Sequence, residues 1–155
     1  SEMCIRDRHK DKGNKNMISY QRNHILSLFD RLNLHIASGG NVSKARYWKE
    51  LRDSKLSISP FGWGEICYRD FETFISGAVL IKPLMNHLET YPNLFVENET
   101  YVPVNWNLEE LETRLEHMAA HYDDYKHIAK IGQERYFNAI NNADDFIQTF
   151  KQNIE

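Results

Sequence analysis

A turn with two glycines lies near the middle of the chain, and two glutamates seven residues apart follow it. Gly62 and Gly64 follow a short β-rich run, and the spacing predicts a helix from Glu65 to Ser76 in which Glu65 and Glu72 share one face. The N-terminus of a helix presents unpaired N–H groups and the positive end of its dipole to an anion. Glycines let the backbone approach such a ligand closely. The stretch therefore predicts a site for a phosphorylated ligand.

Two strands must position this turn and helix. Leu56 to Ile58 is a short apolar run, Gly77 is expected to end the helix, and Ala78 to Ile81 is a second apolar run. Strand, turn, helix and strand in this order form a βαβ unit, whose parallel strands need a helical crossover. In open sheets of this kind, ligands bind outside the carboxyl ends of the strands. The glycine turn follows such an end.

The other elements continue the alternation of helices and strands. Before the central unit come an amphipathic helix after Met17, with Ile25, Leu28, Phe29 and Leu32 on its apolar side, and a strand at Leu34 to Ala37. A glycine turn at Ser38 to Asn41 then leads to a helix from Val42 or Ser43 that buries Tyr47 and Leu51. After the central unit come a strand at Tyr101 to Val104, a helix N-capped by Asn107, and helices from His121 with a break at Asn141 and Asn142. Pro103 is expected to place the last strand at a sheet edge. The order predicts an α/β fold, a single Rossmann-like, doubly wound and mostly parallel sheet with C-terminal helices.

The composition limits the class of protein. Its 155 residues can bury one core, and a hydrophobic content of 41% is ordinary for a soluble domain. The net charge of −3 argues against nucleic acid as the main partner. No apolar run approaches the roughly 20 residues of a membrane span. Cys67, placed inside the predicted helix, is expected to be an inert core thiol in a reducing compartment.

The N-terminal residues are expected to stand apart from the rest. Residues 1–8, SEMCIRDR, resemble the conceptual translation of a sequencing adapter at the edge of a metagenomic assembly and are set aside from fold reasoning. Residues 9–16 are polar and are predicted to be a flexible lead-in. Residues 17–155 are then the folded domain of a fragment whose true N-terminus is missing.

The ordered series of motifs resembles a known family. The segment SPFGWGEICYRDFETFISGAVLIKP, followed by HLE and by ETYVPVNWNLEELETRLEHM, resembles the C-terminal, donor-binding half of a two-Rossmann-domain (GT-B-type) glycosyltransferase of the group 1 or spore-coat-glycosyltransferase-like type. The resemblance covers residues 34–150. It implies that residues 17–155 bind a nucleotide sugar and that the N-terminal, acceptor-binding domain is missing.

The resemblance implies roles for particular residues. Glu72 occupies the position of a glutamate that binds the ribose hydroxyls of the donor, and a carboxylate can accept both hydroxyl hydrogen bonds. The remaining implied donor-binding residues are Gly62, Trp63, Gly64 and Glu65 at the phosphates and sugar, Gly40 and Asn41 at the nucleobase, and Lys82 and His87 near the diphosphate and sugar. The family's glutamate pair is one residue further apart than Glu65 and Glu72. Its diphosphate-binding cations come from a part of the domain that the fragment lacks, so Lys82 or Arg69 could substitute.

Each candidate also has a simpler structural interpretation. Glu65, Arg69 and Glu72 could form a solvent-facing ladder of charges on the helix. Lys82 could instead be a strand-end lysine whose ammonium reaches solvent, His87 could be a loop-packing residue, and Trp63 could simply cover the turn. His117 and His121 have zinc-ligand spacing but lack a third ligand, which favours a solvated pair and no metal.

The predicted function is that of a hexosyltransferase-type glycosyltransferase, inactive as this fragment. Its substrate would be a nucleotide-diphosphate sugar, with no further cofactor, and its location the cytoplasm, with peripheral attachment to the inner face of the membrane through the missing half. Two alternatives stay open: a non-catalytic α/β regulatory or partner-binding module, and one half of a sugar-nucleotide epimerase.

Overall fold

The computed structural model describes residues 3–4, 17–38 and 42–152. In these ranges the chain forms strands and helices in the order β1 (Met3–Cys4), α1 (Met17–Phe29), β2 (Ile36–Ala37), α2 (Lys44–Arg52), β3 (Leu56–Ile58), α3 (Tyr68–Ser76), β4 (Val79–Pro83), β5 (Val102–Val104), α4 (Leu111–Ala120), α5 (Tyr122–Asn141) and α6 (Ala143–Gln152). The predicted break between the last two helices is confirmed. None of the helices in the described ranges is long and apolar enough to cross a membrane.

The strands form one sheet in the order β2-β1-β3-β4-β5, and every neighbouring pair is parallel. Leu56 is opposite Val79, and Ile81 is opposite Val102. Pro103, which cannot donate a backbone hydrogen bond, lies in β5 at one edge of the described sheet. The predicted α/β fold with a parallel sheet and C-terminal helices is confirmed.

Met3–Cys4 contributes a strand to the middle of this sheet. Met3 is opposite Ile36 on one side and Leu56 on the other. Setting residues 1–8 aside from fold reasoning was therefore wrong for this pair, because without it β2 and β3 have no common neighbour. The adapter origin of the segment stays a prediction.

Both faces of the sheet are covered by helices. Side chains alternate along a strand, so Val79 and Ile81 of β4 pack in a cluster with α1 and α4, whereas Leu80 packs with Phe74 of α3 and Tyr101 on the other face. All of these side chains are almost fully buried. Burial on both faces explains why the strands read as continuous apolar runs.

Helix α3 begins three residues later than the sequence predicts. Glu65 and Ile66 lie in bends, and Cys67 is the N-cap, with extended backbone at φ −118° and ψ 152°. The Asp70 carboxylate accepts a hydrogen bond from the Cys67 N–H at 2.9 Å, which fixes the first turn. The helix ends as predicted at Gly77, whose φ of 74° is left-handed.

The start of α4 also differs from the prediction. The Asn107 side chain accepts a hydrogen bond from the Glu109 N–H within a turn, and the helix begins only at Leu111. The Glu110 carboxylate accepts a hydrogen bond from the Asn105 N–H at 2.5 Å, so side-chain hydrogen bonds hold this turn together before the helix begins. Asn107 is therefore a turn residue, not an N-cap.

Candidate functional site

A cleft of about 610 Å³ lies beside the turn between β3 and α3. Its walls come from α1, α2, the turn and the first two turns of α3. The lining residues are Arg22, Tyr47, Gly62, Trp63, Gly64, Ile66, Cys67, Tyr68, Arg69, Phe71 and Glu72. The cleft thus follows the carboxyl end of a central parallel strand, where ligands bind in open α/β sheets.

Glu72 lies in this cleft with its carboxylate half-buried. It accepts a hydrogen bond from the hydroxyl of Tyr47 on α2. Tyr47 is 4% exposed, so its ring is part of the packing between α2 and the rest of the domain. The solvent-facing ladder of Glu65, Arg69 and Glu72 is wrong, because Glu65 precedes the helix and Glu72 faces a tyrosine.

Lys82 does not face the cleft. Its side chain is fully buried, and its ammonium lies 3.0 and 3.2 Å from the two carboxylate oxygens of Asp70. The ring centroids of Phe61 and Phe95 lie 5.1 and 5.8 Å from the same ammonium. The strand-end lysine of the sequence analysis is thus a buried partner of α3, and both expectations for Lys82, diphosphate contact and a solvent-reaching end, are wrong.

The Asp70 carboxylate is held between opposing influences. Burial raises the pKa of Asp70 above its usual range, although the Lys82 ammonium and the Cys67 N–H act in the opposite direction. Its oxygens accept from Lys82 and Cys67 together. The pair therefore joins β4 to the first turn of α3, directly behind the cleft.

Positive charge in the cleft comes from two arginines. Arg69 lies in the first turn of α3, and Arg22 of α1 reaches the glycine turn, with Nη2 3.4 Å from the position of a Cβ built on Gly62. Arg69 was considered in the sequence analysis, but Arg22 was not. Its position three residues before Ile25, on the buried side of α1, was the signal that could have found it.

The turn itself is tied to two other elements by Gln21. The side-chain oxygen of this buried glutamine accepts a hydrogen bond from the Phe61 N–H at 2.9 Å. Its nitrogen donates to the carbonyl oxygen of Trp106 at 2.9 Å. The glycine turn is therefore positioned against α1 and the loop that follows β5.

Glu65 and His87 lie next to each other outside the lining of the cleft. His87 Nε2 is 3.8 Å from a Glu65 carboxylate oxygen, and the imidazole makes an edge contact with the Phe61 ring. Both side chains are about half exposed. The structure thus places the loop after β4 beside the glycine turn, but it does not place Glu65 and His87 with Glu72.

Two aromatic rings at the mouth of the cleft are almost fully exposed. Trp63 is 95% exposed and Tyr68 is 88% exposed. Trp63 therefore does not cover the turn as a packing residue. Both rings are available to stack on a flat ligand.

His117 and His121, the candidate zinc ligands, are not among the residues that line the cleft. Gly40 and Asn41 fall outside the described residues. His117 and His121 are exposed and stacked at 4.4 Å, as the solvated interpretation predicts. In the described ranges, no group of three or more histidines, cysteines and carboxylates could hold a metal ion.

Cys67 lies at the junction of the turn and α3, not inside the helix. Burial raises the pKa of its thiol, with a further rise from Asp70, and Lys82 and Arg22 oppose these effects. A raised pKa lowers the thiolate fraction at a given pH, and the thiolate is the nucleophile.

We expect iodoacetamide to alkylate Cys67 more slowly at pH 8 in the folded protein than in the urea-unfolded protein. Peptide mass spectrometry at several pH values separates Cys67 from Cys4, and equal rates in both states would contradict the prediction.

No family model matches this sequence, and no curated protein matches it. Among solved structures, the fold is similar to the C-terminal domain of a group 1 family glycosyl transferase, LpcC, from Francisella tularensis. The TM-score is 0.55 with 13% sequence identity, over 78% of this chain and 62% of the solved chain. The chain thus spans less than two thirds of the solved domain. This similarity shows the fold of the chain, which is a Rossmann-like domain of the kind that forms one half of a GT-B fold.

Proposed function

We propose that this chain is the donor-binding half of a glycosyltransferase and that the cleft beside α3 binds a nucleoside diphosphate sugar. The observation that carries the proposal is the presence of Glu72, Arg22 and Arg69 in one cleft at the start of α3. A carboxylate suits a sugar diol, and guanidinium groups suit a diphosphate because they bind phosphate oxygens in a bidentate manner. The fold of the similar solved domain supports this assignment.

Three parts of the site would hold the ligand. The diphosphate would lie between the N-terminus of α3 and the two arginines, where its charge is compensated. The ribose would lie against Glu72, two turns into the helix. The sugar would then lie near Trp63 and Tyr68, whose exposed rings can pack on its apolar face.

The chemistry follows from this placement. In sugar transfer an acceptor hydroxyl forms a bond to the anomeric carbon and gives up its proton to the departing phosphate or to solvent, while the bond between that carbon and the diphosphate breaks, so negative charge grows on the departing phosphate. Arginines and helix N–H groups that are already in place stabilise that charge without reorganisation. The acceptor would be held by a second domain facing the cleft, and we propose hexosyl transfer in the cytoplasm as the full activity, with spore-coat-type enzymes as the related group.

Replacing Glu72 with glutamine is expected to weaken UDP or GDP binding by about tenfold, because a neutral amide accepts hydroxyl hydrogen bonds less strongly than a carboxylate. Isothermal titration calorimetry at fixed ionic strength measures the change. Glu116, an exposed glutamate on α4, provides the matched control, and Glu116→Gln should bind as the unmodified protein does.

The location of binding can be tested independently. Because Cys67 lines the cleft, saturating nucleotide should slow its alkylation further. Two results would overturn the proposed function: no binding of either nucleotide at millimolar concentration, or binding that Glu72→Gln leaves unchanged.

A further inference from the structure

Tyr47 and Glu72 connect two helices across the cleft. They are 25 residues apart in sequence, one on α2 and the other on α3, and the phenol hydroxyl donates to one carboxylate oxygen, Oε2. Both residues line the cleft. A tyrosine at this place was expected only to fill the core.

The two side chains differ in how firmly they are held. The Tyr47 ring packs with Leu51 in a small buried cluster and makes an edge contact with Trp48, with centroids 5.9 Å apart. Glu72 is half-buried and has three rotatable side-chain bonds, whose freedom must be lost when it binds a ligand. A hydrogen bond from the rigid phenol restricts this freedom before the ligand arrives.

The geometry points to Tyr47 as a positioning residue that orients the Glu72 carboxylate toward a vicinal diol, the ribose of a nucleotide. This inference rests on the proposed function of the cleft. The phenol occupies Oε2 and directs Oε1 and the remaining lone pairs toward the ligand hydroxyls. Orientation of this kind lowers the entropy cost of binding a ribonucleotide. It contributes nothing to a ligand that has phosphates and no ribose.

The test compares ligands with and without the diol. We expect Tyr47→Phe to weaken UDP or GDP binding by about fivefold, the typical effect of one lost hydrogen bond. Binding of the matching 2′-deoxynucleotide should weaken less, and binding of inorganic pyrophosphate should stay the same. Tyr91→Phe is the matched control, because the Tyr91 hydroxyl also donates to a carboxylate, that of Asp145, but lies outside the lining of the cleft, and it should alter none of the three affinities.

A double-mutant cycle with Glu72→Gln shows whether the two residues act together. If Tyr47 acts through Glu72, Tyr47→Phe should add little to the loss already caused by Glu72→Gln. Additive losses would overturn the inference, and so would an equal loss for pyrophosphate and UDP, which would mean that Tyr47 only supports the packing of α2. These results would leave the proposed function intact. If the unmodified protein bound neither UDP, nor GDP, nor pyrophosphate, both the proposed function and the inference about Tyr47 would be overturned.

Discussion

Replacing Lys82 with methionine is expected to lower the free energy of unfolding by about 3–5 kcal/mol. The substitution keeps most of the side-chain volume but removes the ammonium that lies 3.0 Å from the Asp70 carboxylate. Asp70 is fully buried, and Lys82 is the cation that the described residues place at contact distance from it, so its charge would lose that partner. A buried carboxylate without such a partner must either stay ionised in a poor solvent or take up a proton, and both cost stability. Urea unfolding followed by circular dichroism measures the loss.

An exposed ion pair provides the matched control. Lys126 lies 2.9 Å from Asp123 on α5, about the same separation, but both side chains are largely in solvent. Lys126→Met should therefore change the free energy of unfolding by at most about 1 kcal/mol. The double variant Asp70→Leu with Lys82→Met removes both buried charges and should recover much of the stability lost by Lys82→Met alone. Equal effects of Lys82→Met and Lys126→Met would show that the buried pair has no special weight.

The buried pair also matters for the cleft. Asp70 accepts the N–H of Cys67, so it determines where α3 begins, and Lys82 holds Asp70 against β4. Arg69 and Glu72, on the same helix, line the cleft. Since these residues depend on the position of α3, Lys82 supports the candidate site from behind without touching it.

The architecture could be predicted from the sequence because it depends on patterns of residues that are close together in the chain. Apolar runs and 3.6-residue periodicity placed α2, β3, β4 and α5 close to their observed positions, and the left-handed Gly77 ended α3 as expected. The position of Glu72 beside a cleft also followed from the strand, turn and helix order. These features depend on residues that are near one another in sequence.

The details of the site could not be predicted in the same way. Whether Lys82 faces solvent or Asp70 depends on how α3 packs on β4, and both orientations give the same sequence pattern. The contact of Tyr47 with Glu72 joins two helices, and a tyrosine of a buried stripe gives no sign that its hydroxyl reaches a cleft. Glu65 was misplaced because Asp70, three residues after Cys67, makes a later helix start more favourable.

The fold and the function of this chain are supported by different kinds of evidence. The similarity to the C-terminal domain of a group 1 glycosyl transferase shows the arrangement of strands and helices, at 13% identity. The same fold class hosts many chemistries, so the function must be argued from the cleft. Our proposal of a nucleoside diphosphate sugar as the ligand rests on Glu72 and two arginines that line one cleft beside a helix N-terminus.

A single methyl group at Gly132 is expected to reveal how closely α5 packs on the sheet. Gly132→Ala should lower the free energy of unfolding by about 1–3 kcal/mol, the usual cost of overfilling a core. A Cβ there would lie 2.8 Å from the Thr100 carbonyl oxygen and 2.9 Å from the Phe74 ring. Thr100 cannot easily retreat, because its N–H donates to the Val96 carbonyl oxygen and its hydroxyl donates to the Leu94 carbonyl oxygen.

The sign of this effect is informative because helix propensity acts in the opposite direction. Alanine is favoured over glycine in a helix interior by about 1 kcal/mol, so an uncrowded position would become more stable. Gly64→Ala is the control for crowding, since a Cβ at Gly64 meets no atom within 4 Å, and it should change stability by less than about 0.5 kcal/mol. Urea unfolding of both variants decides the matter. A gain in stability for Gly132→Ala would contradict the close packing of α5 against Phe74 and Thr100.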